Sequence, residues 1–181
     1  MTSRMLYLFA SAAPPAFELE HVIERAQAEG WEVCLGLTPT AARWLDESLD
    51  HLATLTGHPV RSEYKLPGEP DVWPQADVML FAPATFNSLN SWALGITSTF
   101  VVGVVAEGIG KGVPTVTMPC VNAAYAKHRQ LDRSITELRE QGVTVLYGEG
   151  GFTPNPPGSG APKGYPWEAA LTAVRHLVAR A

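Results

Sequence analysis

Two asparagines, each shortly after a proline, are the side chains in this sequence best suited to hold a small polar ligand. Asn87 follows Pro83 in "PATFNS", and Asn122 follows Pro119 in "MPCVN". An amide offers two donors and one acceptor, which suits a uracil-like edge or a substrate carboxylate. Either asparagine alone is better explained as a helix N-cap, a very common use of this residue. Their repetition after two neighbouring apolar runs favours a ligand site.

Two hydroxyl residues could hold one phosphate at the same edge of the protein. Ser11 follows the first apolar run and precedes a predicted helix, and Thr38 follows the second. Free N–H groups and the helix dipole favour an anion at a helix start, although simple capping explains either residue as well. No glycine-rich dinucleotide fingerprint follows the first run. A mononucleotide with one phosphate is therefore favoured over NAD.

Apolar periodicity predicts the elements that must position these side chains. Continuous apolar runs predict five strands, at residues 4–10, 31–37, 76–82, 113–119 and 143–147. Three- and four-residue apolar spacing predicts helices at residues 16–29, 39–45, 49–56, from about 87, 122–141 and 167–178. The apolar segment at 97–109 is interpreted as a further helix, although its valine run also allows a strand. This alternation predicts an α/β domain with a doubly wound parallel sheet, a flavodoxin/Rossmann-like three-layer sandwich. Ligands of such sheets bind beyond the carboxyl ends of the strands.

Length and composition exclude several protein classes. The 181 residues are 46% hydrophobic and 17% charged, which predicts a single globular domain spanning residues 1–181. A net charge of -5 without any Lys/Arg cluster longer than a pair argues against a nucleic-acid partner. Cys34 and Cys120 are too few for a disulfide scaffold and have no metal-type spacing. The apolar start is interpreted as a buried strand rather than a signal peptide, so we expect a cytoplasmic protein without membrane attachment.

Four segments together resemble one known family. "PATFNS" at residues 83–88, "ALGI" at 93–96, "MPCVN" at 118–122 and "GWEVCLGLTPTA" at 30–41 occur in the family's order. The family is that of the homo-oligomeric flavin-containing cysteine decarboxylases, the flavoproteins that include phosphopantothenoylcysteine decarboxylase and the lantibiotic-type peptidyl-cysteine decarboxylases. The resemblance extends from about residue 4 to 148 and includes the final helix.

The resemblance implies FMN bound at a subunit interface of a homotrimer, which in this family often assembles further into a dodecamer. It implies six cofactor-binding residues: Ser11 and Thr38 near the phosphate, with Thr85, Phe86, Asn87 and Gly95 along the flavin. It implies three residues near the substrate: Asn122, Cys120 and Tyr165. The implied reaction is oxidation of a cysteine followed by loss of its carboxylate as CO₂, which yields an ene-thiol. Flavin carries the difficult chemistry in that reaction.

Two departures from the family pattern bear on catalysis. The family's active-site histidine aligns with Glu69, which could act as a general base if burial raised its pKa, or could be a solvated loop carboxylate. The Pro/Gly-rich segment at residues 148–166 occupies the place of the family's substrate flap and contains no cysteine. The coenzyme A branch has a cysteine there, so its absence favours the peptide-modifying branch. The segment either closes over a peptide, with Tyr165 facing it, or is a disordered surface loop.

The sequence therefore predicts an enzyme, an FMN-dependent cysteine decarboxylase that acts on the C-terminal cysteine of a peptide. The first alternative is an FMN-binding relative without decarboxylation, serving as a regulatory or assembly subunit. Phosphopantothenoylcysteine decarboxylase and flavin prenyltransferase are further alternatives. The last would need a basic pocket for a prenyl phosphate, for which Lys127, Arg129 and Lys163 are the available residues.

Overall fold

The computed structural model describes residues 4–159 and 164–179. Its strands are β1 (Arg4–Ala10), β2 (Trp31–Leu37), β3 (Val78–Ala84), β4 (Thr115–Pro119) and β5 (Thr144–Val145). Its helices are α1 (Leu19–Ala28), α2 (Pro39–Trp44), α3 (Leu49–Thr56), α4 (Phe86–Ala93), α5 (Phe100–Gly110), α6 (Ala123–Ala126), α7 (Arg129–Glu140) and α8 (Trp167–Val178). None of these helices is both long and apolar enough to cross a membrane.

The five strands form one parallel sheet in the order β2-β1-β3-β4-β5. The central strands are apolar on both faces because both faces of the sheet are covered. Leu8 of β1 pairs with Leu35 of β2 and with Leu80 of β3, and all three side chains are fully buried. The predicted fold class, a doubly wound α/β sheet of the flavodoxin type, is confirmed.

The strand order decides which helices lie on which face. The chain moves from β1 to β2 in one direction and from β3 to β4 to β5 in the other. Since crossovers of parallel strands are right-handed, the helix between β1 and β2 and the helices that follow β3 and β4 cover opposite faces. On one face α1 contacts α3 and is tied to α8 by the Arg25–Glu168 and Arg175–Glu29 ion pairs. On the other face α4 contacts both α5 and α7. The carboxyl end of β3 therefore opens between the two layers.

Two predicted helices are interrupted by residues whose side chains or rings set local geometry. The helix predicted at 122–141 is divided into α6 and α7 at His128, whose Nδ1 accepts a hydrogen bond from the Gln130 N–H at 3.1 Å. The first predicted helix begins as a 3-10 turn at Pro14–Glu18 before α1 starts at Leu19. These breaks shift the start of each helix relative to the strand that precedes it.

The proline-rich connection at residues 59–76 is irregular, as predicted, but it is anchored to the edge of the sheet. Arg61 donates its N–H to the Leu35 carbonyl and accepts from the Leu37 N–H, at 3.1 and 2.8 Å. Trp73 is buried, and its Nε1 donates to the Pro59 carbonyl at 2.9 Å. Gly36 leaves room for the Trp73 ring, since a Cβ on residue 36 would lie 3.3 Å from that ring. The 59–76 segment therefore forms part of the protein's outer layer beside β2.

The described part of the 148–166 segment, for which a peptide flap and a disordered surface loop were the two predicted alternatives, is anchored to the core. Phe152 and Tyr165 are both buried and contact each other, with ring centroids 5.6 Å apart. The Tyr165 hydroxyl donates to the Met118 carbonyl at 2.5 Å. Aromatic residues in a Pro/Gly-rich segment carry no apolar period, which is why the pattern did not reveal these anchors. Residues 160–163 of the predicted flap lie outside the described residues.

Candidate functional site

A cleft of about 760 Å³ opens at the carboxyl ends of β3 and β4. Four parts of the chain line it: the turn after β1 at 12–14, α4 and its flanks within 85–96, the loop and first turn after β4 at 120–125, and residues 155–158. The last of these lies beside α6 because the Ala123 N–H donates to the Asn155 carbonyl at 2.8 Å. The polar loops predicted to meet at one edge of the sheet do meet there.

Asn122 caps a helix and at the same time offers donors to the cleft. Its Oδ1 accepts hydrogen bonds from the backbone N–H groups of Ala124 and Tyr125, both at 3.0 Å. Since both partners are donors, the oxygen must face them, and the amide NH₂ must face away. That NH₂ makes no hydrogen bond among the described residues. Asn122 can therefore cap α6 with its oxygen and contact a ligand with its NH₂ group at the same time.

Asn90 also lines the cleft, and like Asn122 it has its amide oxygen hydrogen-bonded within the protein and its NH₂ group free among the described residues. Its Oδ1 accepts a hydrogen bond from the Ser134 hydroxyl of α7 at 2.8 Å, which leaves the NH₂ as the free end. Asn87, one turn earlier, is exposed and is not the cap of α4, since Thr85 holds that position. The described wall of the cleft carries no charged side chain. The site is thus neutral and rich in donors, which favours a ligand with carbonyl or carboxylate oxygens.

Aromatic and aliphatic side chains complete the mouth of the cleft. Phe86 stacks on Tyr125 with ring centroids 4.7 Å apart and 23° between the planes. Leu94 and Ile96 are 60% and 52% exposed on either side of Gly95, which ends α4 with a φ of 69°. Gly95 itself is not among the lining residues. A flat apolar wall next to amide donors suits a planar heterocycle.

A buried chain of hydroxyls lies behind the cleft. Ser11 and Ser88 share a hydrogen bond of 2.8 Å between their hydroxyl oxygens, and Thr85 donates to Ser88 at 3.2 Å. Ser11 is buried, so its hydroxyl serves this chain and does not line the cleft. Thr38 is adjacent, since its N–H donates to the Ala10 carbonyl at 3.0 Å. It occupies the N-cap of α2, but its side chain makes no capping hydrogen bond.

Two predicted site residues, Glu69 and Tyr165, do not line the cleft. Glu69 is exposed in the 59–76 segment, where its carboxylate accepts a hydrogen bond from the Leu66 N–H at 2.8 Å. No burial surrounds it, so the general-base expectation lacks its physical condition. Tyr165 belongs to the core rather than to the cleft, because its hydroxyl is committed to the Met118 carbonyl. Lys163 lies outside the described residues.

Sequence reasoning missed several residues of the cleft. Asn90, Ser91 and Leu94 line it together with Asn87. Their three- and four-residue spacing places them on one face of α4, and that periodicity was the available signal. Asn155 carried no such signal, because only the chain path brings it beside Asn122. Within the described ranges no cluster of metal-ligating side chains occurs.

Cys120 lines the cleft as a neutral thiol. Burial raises the pKa of Cys120 to about 11, and burial raises that of Cys34 to about 12. No cationic side chain lines the described wall to stabilise a thiolate. Cys120 is thus suited to contact a ligand by packing and not to attack it.

We expect Cys120 to resist alkylation by iodoacetamide at pH 8 in the folded protein. Its thiolate fraction there is about 10⁻³, against roughly a quarter for an unperturbed cysteine, and it rises about tenfold per pH unit until the pH approaches 11. Mass spectrometry of the labelled protein over pH 7 to 10 checks this, with urea-unfolded protein as the control. Rapid labelling of folded protein at pH 8 would contradict the assignment.

Comparison with known proteins supplies context for this cleft. A family model described as "Flavoprotein" matches residues 1–175. The solved structure of the FMN-dependent cysteine decarboxylase TvaF from thioviridamide biosynthesis matches with a TM-score of 0.76 at 18% identity, covering 98% of this chain and 99% of that one. PPC decarboxylase matches at 0.72 and 19%, covering 99% and 100%. The FMN binding protein AtHal3 matches at 0.71 and 19%, also covering 99% and 100%. No curated protein sequence matches the chain.

Proposed function

Because this chain belongs to the flavoprotein family, we propose that it binds FMN in the cleft and oxidatively decarboxylates the C-terminal cysteine of a peptide. The observation that carries the proposal is the pair of amide NH₂ groups, on Asn90 and Asn122, whose oxygens are held by intramolecular donors. Such groups suit flavin carbonyls and a substrate carboxylate. The family predicted from the sequence is the one the comparison identifies.

The residues of the cleft fit an FMN molecule. The volume of about 760 Å³ lies in the range of cofactor pockets. The stacked Phe86 and Tyr125 rings offer a flat wall for the isoalloxazine, and Asn87 and Asn90 offer polar atoms for its carbonyl edge. The phosphate end would lie by residues 12–14, where the Ala12 N–H makes no backbone hydrogen bond to a described residue and the Thr38 backbone is hydrogen-bonded to the nearby Ala10. The absence of carboxylates from the described wall avoids repulsion of a phosphate.

The chain's own residues then orient the substrate. Bound FMN supplies the two-electron acceptor, so that the cysteine end loses CO₂ and two hydrogens and becomes an ene-thiol. The Asn122 NH₂ donates to the substrate carboxylate and fixes its direction. Cys120, held neutral, packs against the ligand without competing as a nucleophile. Residues 155–158 cover the cleft beside α6 and limit the access of water.

We also propose assembly as a homotrimer, with a dodecamer as a possible higher state. Leu94, Ile96 and Tyr125 are each more than half exposed near the cleft, which forms an apolar surface suited to an adjoining subunit. Glu69 faces outward from its own subunit, which suits a contribution to a neighbour's cleft. Multi-angle light scattering tests the assembly, and a monomer at micromolar concentration contradicts it.

An FMN-binding protein without decarboxylase activity is the second candidate. It is favoured by Glu69, which aligns with the histidine of the decarboxylases and forms an exposed turn contact instead of a buried one. A decarboxylase of the coenzyme A pathway has less support because residues 148–166 contain no cysteine. A flavin prenyltransferase has less support because the described wall of the cleft offers no lysine or arginine for further phosphate groups besides that of FMN.

Two measurements separate these candidates. Protein purified with FMN and desalted is expected to keep the two-band flavin absorption, and a colourless protein would contradict flavin binding. The flavin-bound protein is then incubated with short peptides ending in cysteine and with matched peptides ending in serine. Loss of CO₂ and two hydrogens from the cysteine peptides alone supports the decarboxylase. Flavin binding without any mass loss supports the second candidate.

A further inference from the structure

A second cavity, of about 790 Å³, lies beneath the 59–76 segment and shares no lining residue with the cleft. Its walls come from the 61–76 stretch, β1, β3 and α5. Ile96 lines the cleft and Thr97 lines this cavity, so the two spaces adjoin at the start of α5. Its size is that of a small-molecule site rather than a packing defect.

Aromatic rings form one wall of this second cavity. Trp73 contacts Tyr7 and Phe100 edge-on, with ring centroids 5.0 and 5.8 Å apart. Tyr64 meets Phe100 at 5.9 Å and is held by the hydrogen bond from its hydroxyl to the Thr97 carbonyl. A Cβ on Gly103 would lie 1.9 Å from the Tyr64 hydroxyl, so α5 admits this ring only because residue 103 is glycine. The hydrogen bond to Thr97 and the close approach to Gly103 therefore position the Tyr64 ring.

The charges on the described lining leave one cation without an acidic partner. Lys65 pairs with Asp71 at 2.6 Å, and Lys111 pairs with Glu107 at 3.0 Å. Arg61 forms no ion pair with a carboxylate among residues 4–159 and 164–179. Its guanidinium donates to the Glu63 carbonyl at 3.5 Å, and its charge adds to that of Lys65, the larger cause, in lowering the pKa of Asp71 without forming an ion pair with it. The lining thus has three cations and two carboxylates, a surplus of one positive charge.

The guanidinium of Arg61 is held in place for an incoming anion. Its backbone is hydrogen-bonded to β2 on both sides. Its Cζ lies 4.2 Å from the centre of the Phe100 ring and 5.5 Å from that of Trp73. Stacking occupies the face of the guanidinium and leaves its N–H edge for a carboxylate. The aromatic walls then accept the body of the same ligand.

We propose that this second cavity binds a small aromatic carboxylate, with Arg61 holding the carboxylate and the Tyr7, Tyr64 and Trp73 rings contacting the aromatic body. This inference stands apart from the function proposed for the cleft. A neutral aromatic molecule would leave the positive charge of Arg61 without a counter-ion. An aliphatic acid would leave the aromatic walls of the cavity without a ring to contact.

Calorimetric titration of the FMN-loaded protein tests the proposal. The probes are indole-3-acetate and the matched neutral compound indole-3-acetamide. We expect saturable binding of the acid at least about tenfold tighter than that of the amide, as a charge-assisted hydrogen bond requires. Equal affinities, or no saturable binding of the acid at millimolar concentration, overturn the proposal. This comparison uses the unaltered protein, so no variant has to fold for it to be decisive.

Two variants locate the binding. Arg61→Met is expected to weaken the acid about tenfold and leave the amide unchanged. Lys111→Met removes a paired cation from the same lining and is expected to change the acid's affinity by less than about twofold. Flavin absorption per chain is expected to be equal in both, which separates this cavity from the cleft. Equal losses of affinity in the two variants contradict the role of Arg61.

Discussion

Asn122→Asp is expected to lower kcat/KM for the cysteine-terminated peptide by a factor on the order of 10², the loss typical of removing one preorganised donor. The substitution replaces the free amide NH₂ with a carboxylate oxygen, which repels the substrate carboxylate. The aspartate still accepts the hydrogen bonds from the Ala124 and Tyr125 N–H groups, so α6 keeps its cap. Peptide mass loss measured over time gives the rate.

Asn122→Ser is the matched comparison. Serine also caps a helix but carries no charge, so we expect a loss of activity smaller than that of the aspartate variant. Both variants are expected to melt near the temperature of the unaltered protein and to retain flavin. Unchanged activity in Asn122→Asp would remove Asn122 from the substrate site, whereas loss of bound flavin would assign the residue to the cofactor instead.

Gly36→Ala is expected to destabilise the fold by about 1 to 3 kcal/mol, the cost of overpacking a filled core. A Cβ at this position would lie 2.5 Å from the ring of Phe9, which is fully buried. Trp73 is the next neighbour, at 3.3 Å. The melting temperature is expected to fall by about 2 to 4 °C per kcal/mol in a chain of this size.

Gly110→Ala provides the control for the same chemical change. A Cβ at Gly110, the last residue of α5, meets no atom within 4 Å, and the backbone there is not left-handed. Alanine in a helix is favoured over glycine, so this variant should be unchanged or stabilised by up to about 1 kcal/mol. A Gly36→Ala protein as stable as Gly110→Ala would show that the aromatic cluster is loosely packed.

The strands were predictable because each is a continuous apolar run, the signature of a strand covered on both faces. β1 and β2 begin and end at the predicted residues, and β3 is shifted by only two. The helix predicted at 97–109 is present as α5, Phe100–Gly110. The bounds that differ most are the break at His128 and the starts of α1 and α5, each three residues later than predicted. A side-chain cap at His128 and two proline rings before α1 interrupt the helical period. Such local hydrogen bonds leave no periodic signal.

The polar residues of the site were predictable in type but not in role. Asn122 was identified from its place after a strand, and the structure adds that one amide serves both a helix and the cleft. Ser11 was identified as a phosphate contact, whereas its hydroxyl is bonded to Ser88 in the interior. Tyr165 was expected to face a substrate and instead anchors its segment to β4. The outcomes for Ser11 and Tyr165 each depend on a partner far away in the sequence.

The sequence by itself determined the alternation of strands and helices, and with it the edge of the sheet where polar loops gather. It could do so because apolar period and strand handedness are local properties of the chain. Only the tertiary structure decided which polar groups stay free, since a donor is free only if no distant residue accepts from it. The same holds for Arg61. It has no ion pair among the described residues because Asp71 pairs with Lys65 and Glu107 pairs with Lys111.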